Sequence, residues 1–139
     1  MSHKPVEQLL ARLHFELKGA FVYVPDTQQF DQLEHWSSDA ERDRILADHH
    51  GVLHGDCDDF ALEIRRRAQD QGLPVDLMYC TVPLADGQRG GHLVGHAVGW
   101  IVDNRFEQIR SYQHSCEQDG YTYLKILPAG AKQWFDLVG

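Results

Sequence analysis

Gly55-Asp56-Cys57-Asp58-Asp59-Phe60-Ala61 is the stretch from which the rest of this 139-residue chain can be read. Past it, Phe60, Ala61, Ile64 and Ala68 recur at helical spacing, and Gly72 with Pro74 just beyond supplies a helix stop. The pattern puts Cys57 at the N-terminus of a helix with one apolar face. Unpaired N–H groups and the positive end of the macrodipole favour a thiolate there. Gly55 lets the backbone approach closely. The three acids suit the helix dipole but oppose a thiolate beside them, so the cysteine needs a histidine or a cation to become reactive.

Working outward, Val6, Leu9, Leu10, Leu13 and Leu17 mark an amphipathic helix that Gly19 can end. Phe21-Val22-Tyr23-Val24 is β-prone and closes at the turn signal Pro25-Asp26. Thr27 to Ser37 is polar, with Phe30, Leu33 and Trp36 as anchors. Ser38 and Glu41 form a capping box for a helix toward His49 that buries Ile45 and Leu46 and breaks at Gly51. Val52 to Gly55 then leads into the cysteine. His49, His50 and His54 suggest zinc, but two adjacent histidines cannot face one site on a helix, so they read as helix-end residues.

Downstream, Val75 to Val82 is a strand candidate and Pro83 to Gly91 a polar loop. His92 to Ala97 and Trp100 to Asp103 read as hairpin arms around Val98-Gly99. Arg105 to Arg110 is a candidate further strand, and Ser111 to Gly120 reads as loop. Tyr121 to Leu127 is the last clear strand, closed by Pro128, with Trp134, Phe135 and Leu137 packing back on the core. Helices first and antiparallel strands after them make an α+β fold, read as a single domain over residues 1–139.

Composition excludes several function classes. Hydrophobic residues are 42% and charged residues 24%, as in ordinary globular domains, and the net charge of −8 argues against a nucleic-acid partner. Arg65-Arg66-Arg67 falls inside the cysteine helix and reads as a solvated face with charge suited to its C-terminal half. No run is long enough to span a membrane. Met1 to Pro5 lacks a positive-then-apolar signal pattern, which leads us to expect a cytoplasmic protein. Cys57, Cys80 and Cys116 are odd in number and widely spaced, so they do not form a disulfide framework. Cys80 reads as core and Cys116 as a loop thiol.

A thiol nucleophile needs a base, and the base an orienting partner. His92 and His96 are the candidate bases, on one face of the first hairpin arm, and Asp103 ends the second. With a loop spanning His96 to Gly99, His92 falls opposite Asp103. Pattern alone leaves both histidines open. It also leaves the bland reading, in which Cys57 is a small buried hydrophobe and Asp103-Asn104 is turn chemistry.

The residues also carry a resemblance. Gly55-Asp56-Cys57-Asp58-Asp59-Phe60-Ala61, Gly72-Leu73-Pro74, His92-Leu93-Val94 and Gly99-Trp100-Ile101-Val102-Asp103-Asn104 resemble, in order and spacing, the bacterial transglutaminase-like cysteine proteinases. Tyr23, Asp26, Trp36 and Glu41 match further positions, and the resemblance spans roughly Phe21 to Tyr123. Asp58 stands where the family has Glu, Phe60 where it has Tyr, and the interval from His92 to Asp103 is short.

The resemblance implies a papain-like core, with the cysteine helix packed on an antiparallel sheet. It implies Cys57 as nucleophile, His92 as base and then acid, and Asp103 as orienter, with His96 the alternative base. The expected reaction is hydrolysis of a peptide or amide bond in a protein or peptide substrate, through a thioester. Amine transfer of the transglutaminase type and a non-catalytic binding module are the alternatives. No cofactor is required by this chemistry. Calcium on Asp56, Asp58 and Asp59 is the one candidate ion, set against simple helix-start stabilisation by the same acids.

Overall fold

The computed structural model describes residues 4–24 and 36–137. Its elements run α1 (Lys4–Gly19), β1 (Phe21–Tyr23), α2 (Asp39–Asp48), β2 (Leu53–Gly55), α3 (Cys57–Asp70), β3 (Asp76–Pro83), β4 (Arg89–Ala97), β5 (Trp100–Val102), β6 (Arg110–Ser111), α4 (Tyr112–Glu117), β7 (Thr122–Leu127) and β8 (Phe135–Asp136). The last six strands make one antiparallel sheet in the order β6-β5-β4-β3-β7-β8. The fold is therefore α+β, with the cysteine helix against an antiparallel sheet. The Pro25-Asp26 turn and the anchors Phe30 and Leu33 lie outside the described residues.

Strand alternation splits the core into two sides. On one side, Leu10, Leu13 and Leu17 of α1 and Phe60, Ile64 and Ala68 of α3 pack on Val75, Ala97 and Val102. Ala61 and Leu62 of α3 extend that side over Leu77 and Leu93. On the other, Met78, Cys80, Val82 and Val94 meet Phe106, Tyr121 and Tyr123. Leu93 thus looks toward α3, while His92 and Val94 look toward the tyrosines.

Some expectations about the strands change. The ladder pairs Ala97 with Trp100 and Gly95 with Val102, so the turn is Val98-Gly99 alone, both left-handed at φ 43° and 84°. This is the tight Val98-Gly99 turn read from the sequence, in which paired left-handed residues match the strand twist, and it replaces the longer His96 to Gly99 loop on which the pairing of His92 with Asp103 was based. Continuing that register sets Val94 opposite Asp103; His92 lies two residues farther along the same face. β4 also starts before His92. Gly90 and Gly91, weak strand formers, stay in the ladder opposite Val82 and Thr81. Beside them Arg89 ties to Thr81 O at 2.9 Å and Gly120 O at 2.7 Å. β2, read as a mere lead-in, pairs in parallel with β1.

The segment after Asp103 also differs. Arg105 N and Phe106 N bond back to Asp103, so the chain turns here and only Arg110 joins a strand. Ser111 to Gly120, expected as loop, contains α4, whose N-cap is the Ser111 hydroxyl on His114 N at 3.0 Å. Cys116 is therefore a half-buried helix residue rather than a loop thiol. Trp134 packs edge-on to Trp36 at 6.0 Å, while Phe135 and Leu137 remain exposed.

The Arg65-Arg66-Arg67 run is more than a solvated face. Arg66 and Arg67 both donate to Glu63 Oε2, and the buried Arg42 of α2 donates to Glu63 Oε1 at 3.1 Å. His49 caps α2 and stacks on His54 at 3.8 Å, which agrees with a helix-end role.

Candidate active site

The start of α3 is a double cap. Asp56 is the N-cap, its Oδ1 accepting from Asp58 N at 3.1 Å and Asp59 N at 3.4 Å, while Asp59 Oδ2 accepts from Asp56 N at 3.0 Å. A Cβ on Gly55 would sit 2.3 Å from Asp59 Oδ2, so glycine is needed for that approach. Asp59 Oδ1 takes the Ser37 hydroxyl, and Ser37 in turn receives Arg42 Nη1 at 3.0 Å. A polar chain thus runs from the buried Arg42–Glu63 pair to the cap that aims Cys57. Nothing in the sequence marks this network, because Glu63 meets Arg42 from another helix only in the folded protein.

Cys57 is the first residue of α3, so its N–H has no carbonyl partner inside the helix. Its thiol lies 3.5 Å from Asp58 Oδ1, and the Leu93 backbone nearby acts to lower its pKa. Burial is the main reason its pKa is raised, and the charges of Asp58 and Asp56 raise it further. The resting group is therefore a neutral thiol. The helix-start argument for a thiolate is outweighed by desolvation, a cause the sequence could not display.

The shortness of β5 leaves the edge of β4 open beside His92 and Leu93. β5 pairs only with Gly95 to Ala97, so β4 has no β5 partner around His92 and Leu93. Cys57 approaches that stretch, and with Tyr23, His92, Asn104 and Arg105 it lines a cleft of about 410 Å³. Val82, Leu84, Ala85 and Gly91 form its remaining wall.

His92 Nε2 lies 2.7 Å from Asp103 Oδ1, with His92 6% and Asp103 1% exposed. Asp103 Oδ1 also accepts from Arg105 N at 3.0 Å, and Oδ2 from the Tyr121 hydroxyl at 2.6 Å. Burial pushes the Asp103 pKa up, but His92 and these hydrogen bonds outweigh it and hold the carboxyl below its ordinary value. An ionised carboxylate only accepts, so the proton is on His92 Nε2, and Nδ1 carries the lone pair.

His96 is placed differently. Its Nδ1 bonds Asp76 Oδ2 at 3.0 Å and its Nε2 accepts from Gly99 N at 3.1 Å, so both nitrogens are engaged at the hairpin turn. Cys80 is fully buried in the core, as expected. Asn104 Oδ1, on a residue that lines the cleft, and Trp36 Nε1 are buried without a partner among the described residues. Trp36 packs in the same cluster as Cys57.

The three acids crowd one another. Burial first, then Asp59 and Asp58, push the Asp56 pKa up to about 7. Such unneutralised charge on hard oxygens suits calcium. Asp56 Oδ1 and both Asp59 oxygens are nevertheless turned to protein partners, and among the described residues no three histidine, cysteine or acidic side chains converge as a ready metal site.

A cysteine at a helix start, beside an antiparallel strand whose histidine is held by a buried aspartate, defines the papain-like class of thiol hydrolase architecture. The chain belongs to the bacterial transglutaminase-like cysteine proteinase family, whose model matches residues 21–139. It is accordingly a cysteine protease of the transglutaminase-like type. Among solved structures, calcium-bound LapG of Legionella pneumophila is similar in fold, with a TM-score of 0.68 at 20% identity. That match covers 98% of this chain and 71% of LapG. No curated protein matches the chain by sequence.

Proposed function

We propose that the protein cleaves a peptide or amide bond of a protein substrate with Cys57 as nucleophile, His92 as base and then acid, and Asp103 as orienter. The observation that carries this is the buried His92–Asp103 pair, 2.7 Å long, whose histidine lines one cleft with Cys57. His92 Nδ1 takes the Cys57 proton as the sulfur attacks the carbonyl carbon. A raised thiol pKa makes this transfer necessary, since little thiolate forms unaided. The Leu93 backbone steadies the sulfur as its charge develops.

The Cys57 N–H stabilises the oxyanion, and the unpartnered Trp36 Nε1 is the second donor we assign. His92 then protonates the leaving amine, which departs and leaves a thioester on Cys57. Water, giving a proton to His92, attacks the thioester and releases the acid. Asp103 stays ionised throughout and stabilises the imidazolium.

LapG is calcium-bound; on this chain the acids that would offer oxygens to such an ion are Asp56, Asp58 and Asp59, once they turn from their present hydrogen-bond partners. The ion would supply positive charge against which Asp56 and the Cys57 thiol both ionise more readily. The steps above do not run through it.

The test is alkylation by iodoacetamide near neutral pH, followed peptide by peptide in a mass spectrometer. Cys57 is expected to react faster than Cys80 and Cys116. His92→Ala should abolish the difference and His96→Ala should leave most of it. Equal rates at the three cysteines would sink the proposal, and the opposite pattern for the two histidines would move the base to His96.

A further inference from the structure

We propose that Tyr121 is a positioning residue of this site, holding Asp103 in the orientation that His92 needs and setting the basicity of that histidine. The inference rests on His92 being the base. Asp103 has two oxygens and both are committed on one side of the protein. Oδ1 faces His92 Nε2 and Arg105 N; Oδ2 receives the Tyr121 hydroxyl at 2.6 Å. The Arg105 N–H holds Oδ1 and the Tyr121 hydroxyl holds Oδ2, so the plane of the carboxylate is fixed at both ends. A short O–H···O⁻ bond is also charge-assisted, so it draws electron density from the oxygen His92 uses.

The phenol is held as firmly as the carboxylate. Its ring stands edge-on to His92, centroids 6.0 Å apart at 89°, and stacks on Phe106 at 5.3 Å. The Arg105 guanidinium lies over the ring, 5.7 Å from its centroid. Its backbone N–H donates to Ser115 O at 2.9 Å, and the Ser115 hydroxyl bonds Tyr123 OH at 2.8 Å. Helix α4 thus anchors the tyrosine. An apolar ring would fill the same space, so packing alone does not call for the hydroxyl.

Removing the hydroxyl has a definite electrostatic sign. Asp103 loses a donor, becomes a stronger acceptor and holds the imidazolium more tightly, so the His92 titration moves up in pH. The other titratable or charged groups around the pair are Cys57 from α3, Cys80 from β3, His14 from α1, Arg105 from the loop and Tyr123 from β7. All of these remain when only the hydroxyl is removed.

The experiment follows the His92 ring by NMR through a pH titration, its signals assigned by their loss in His92→Gln. In Tyr121→Phe the midpoint should rise by about half to one pH unit. A ring-fluorinated tyrosine at position 121, a stronger donor, should move it the other way and covers the case in which Tyr121→Phe does not fold. A lower melting temperature with an unmoved His92 midpoint would overturn the proposal and leave Tyr121 a packing residue. Alkylation of wild-type Cys57 is measured alongside. If it is fast and His92-dependent while the midpoint does not move, only the tyrosine proposal fails. If wild-type Cys57 reacts no faster than Cys116, the triad reading fails with it.

Discussion

Asp103→Asn isolates the charge of the carboxylate from its shape. In the folded protein Arg105 N donates to Oδ1, so an asparagine would keep its oxygen there and continue to accept from His92 Nε2. Its amide nitrogen would take the Oδ2 position and donate to the Tyr121 oxygen, whose own proton can turn away. The His92 tautomer is therefore retained and what is lost is one negative charge beside the imidazolium. At about 4 Å between charge centres and an effective dielectric of about 20, that charge is worth about 4 kcal/mol. At about 1.4 kcal/mol per decade this is close to three decades in the population of the thiolate–imidazolium pair. Direct ionisation offers no bypass, because burial and Asp58 hold the thiol pKa high. Iodoacetamide alkylation of Cys57 at pH 7 should therefore slow by about 10²- to 10³-fold. Circular dichroism would verify the fold. A folded variant alkylated within about threefold of the wild-type rate would refute the reasoning, since Asp103 would then contribute no charge to the base.

Further outcomes can be checked at the helix start. Asp56 has a folded pKa raised to about 7, so its protonated form stabilises the fold fully below its unfolded value, and that contribution is lost as pH rises through about 7. Asp56→Asn keeps the cap, and in chelator-treated buffer it should raise stability at pH 8 by about 1 kcal/mol, after allowance for solvent screening, and change little near pH 4. A melting curve unchanged at pH 8 would contradict this. Gly55→Ala places a methyl on Asp59 Oδ2 and should break the capping box, lowering stability by about 2 kcal/mol in urea unfolding; an unchanged midpoint would show that Asp59 moves freely. Saturating calcium should raise the wild-type melting temperature, by about 2.7 kcal/mol of stability at a hundredfold excess over Kd, with a smaller rise in Asp58→Asn. Equal melting curves with and without calcium would remove the ion from the proposal.

The fold was legible because its signals were local. Cys57 begins a helix where Asp56 and the apolar spacing of Phe60, Ile64 and Ala68 say it should. Ser38 and Glu41 make the capping box their spacing implies. What stayed hidden depended on distant partners. β4 extends through two glycines because Arg89 is bonded to β3 and to Gly120. The two-residue turn moved Asp103 out of register with His92, yet the pair forms because both remain on one face. The parity of alternation was readable, the offset was not. Tyr121 gave no signal at all, since nothing in its neighbourhood along the chain marks a tyrosine as the partner of an aspartate near the end of another strand. The state of the thiol was half legible. The acids told against a thiolate, but burial, the larger influence, belongs to the folded protein.

The groups that serve the sulfur enter the chain in the order Cys57, His92, Asp103, Tyr121, each on a different segment. The central strand β3 gains its second neighbour only with β7, and the tyrosine stands just before that strand. A chain in the course of synthesis therefore presents Cys57 before His92, and His92 before Asp103 and Tyr121, the groups to which we assign the orienting roles. The complete arrangement exists only once the far side of the sheet has been made, so under the proposed mechanism the order of translation separates the making of the nucleophile from its arming.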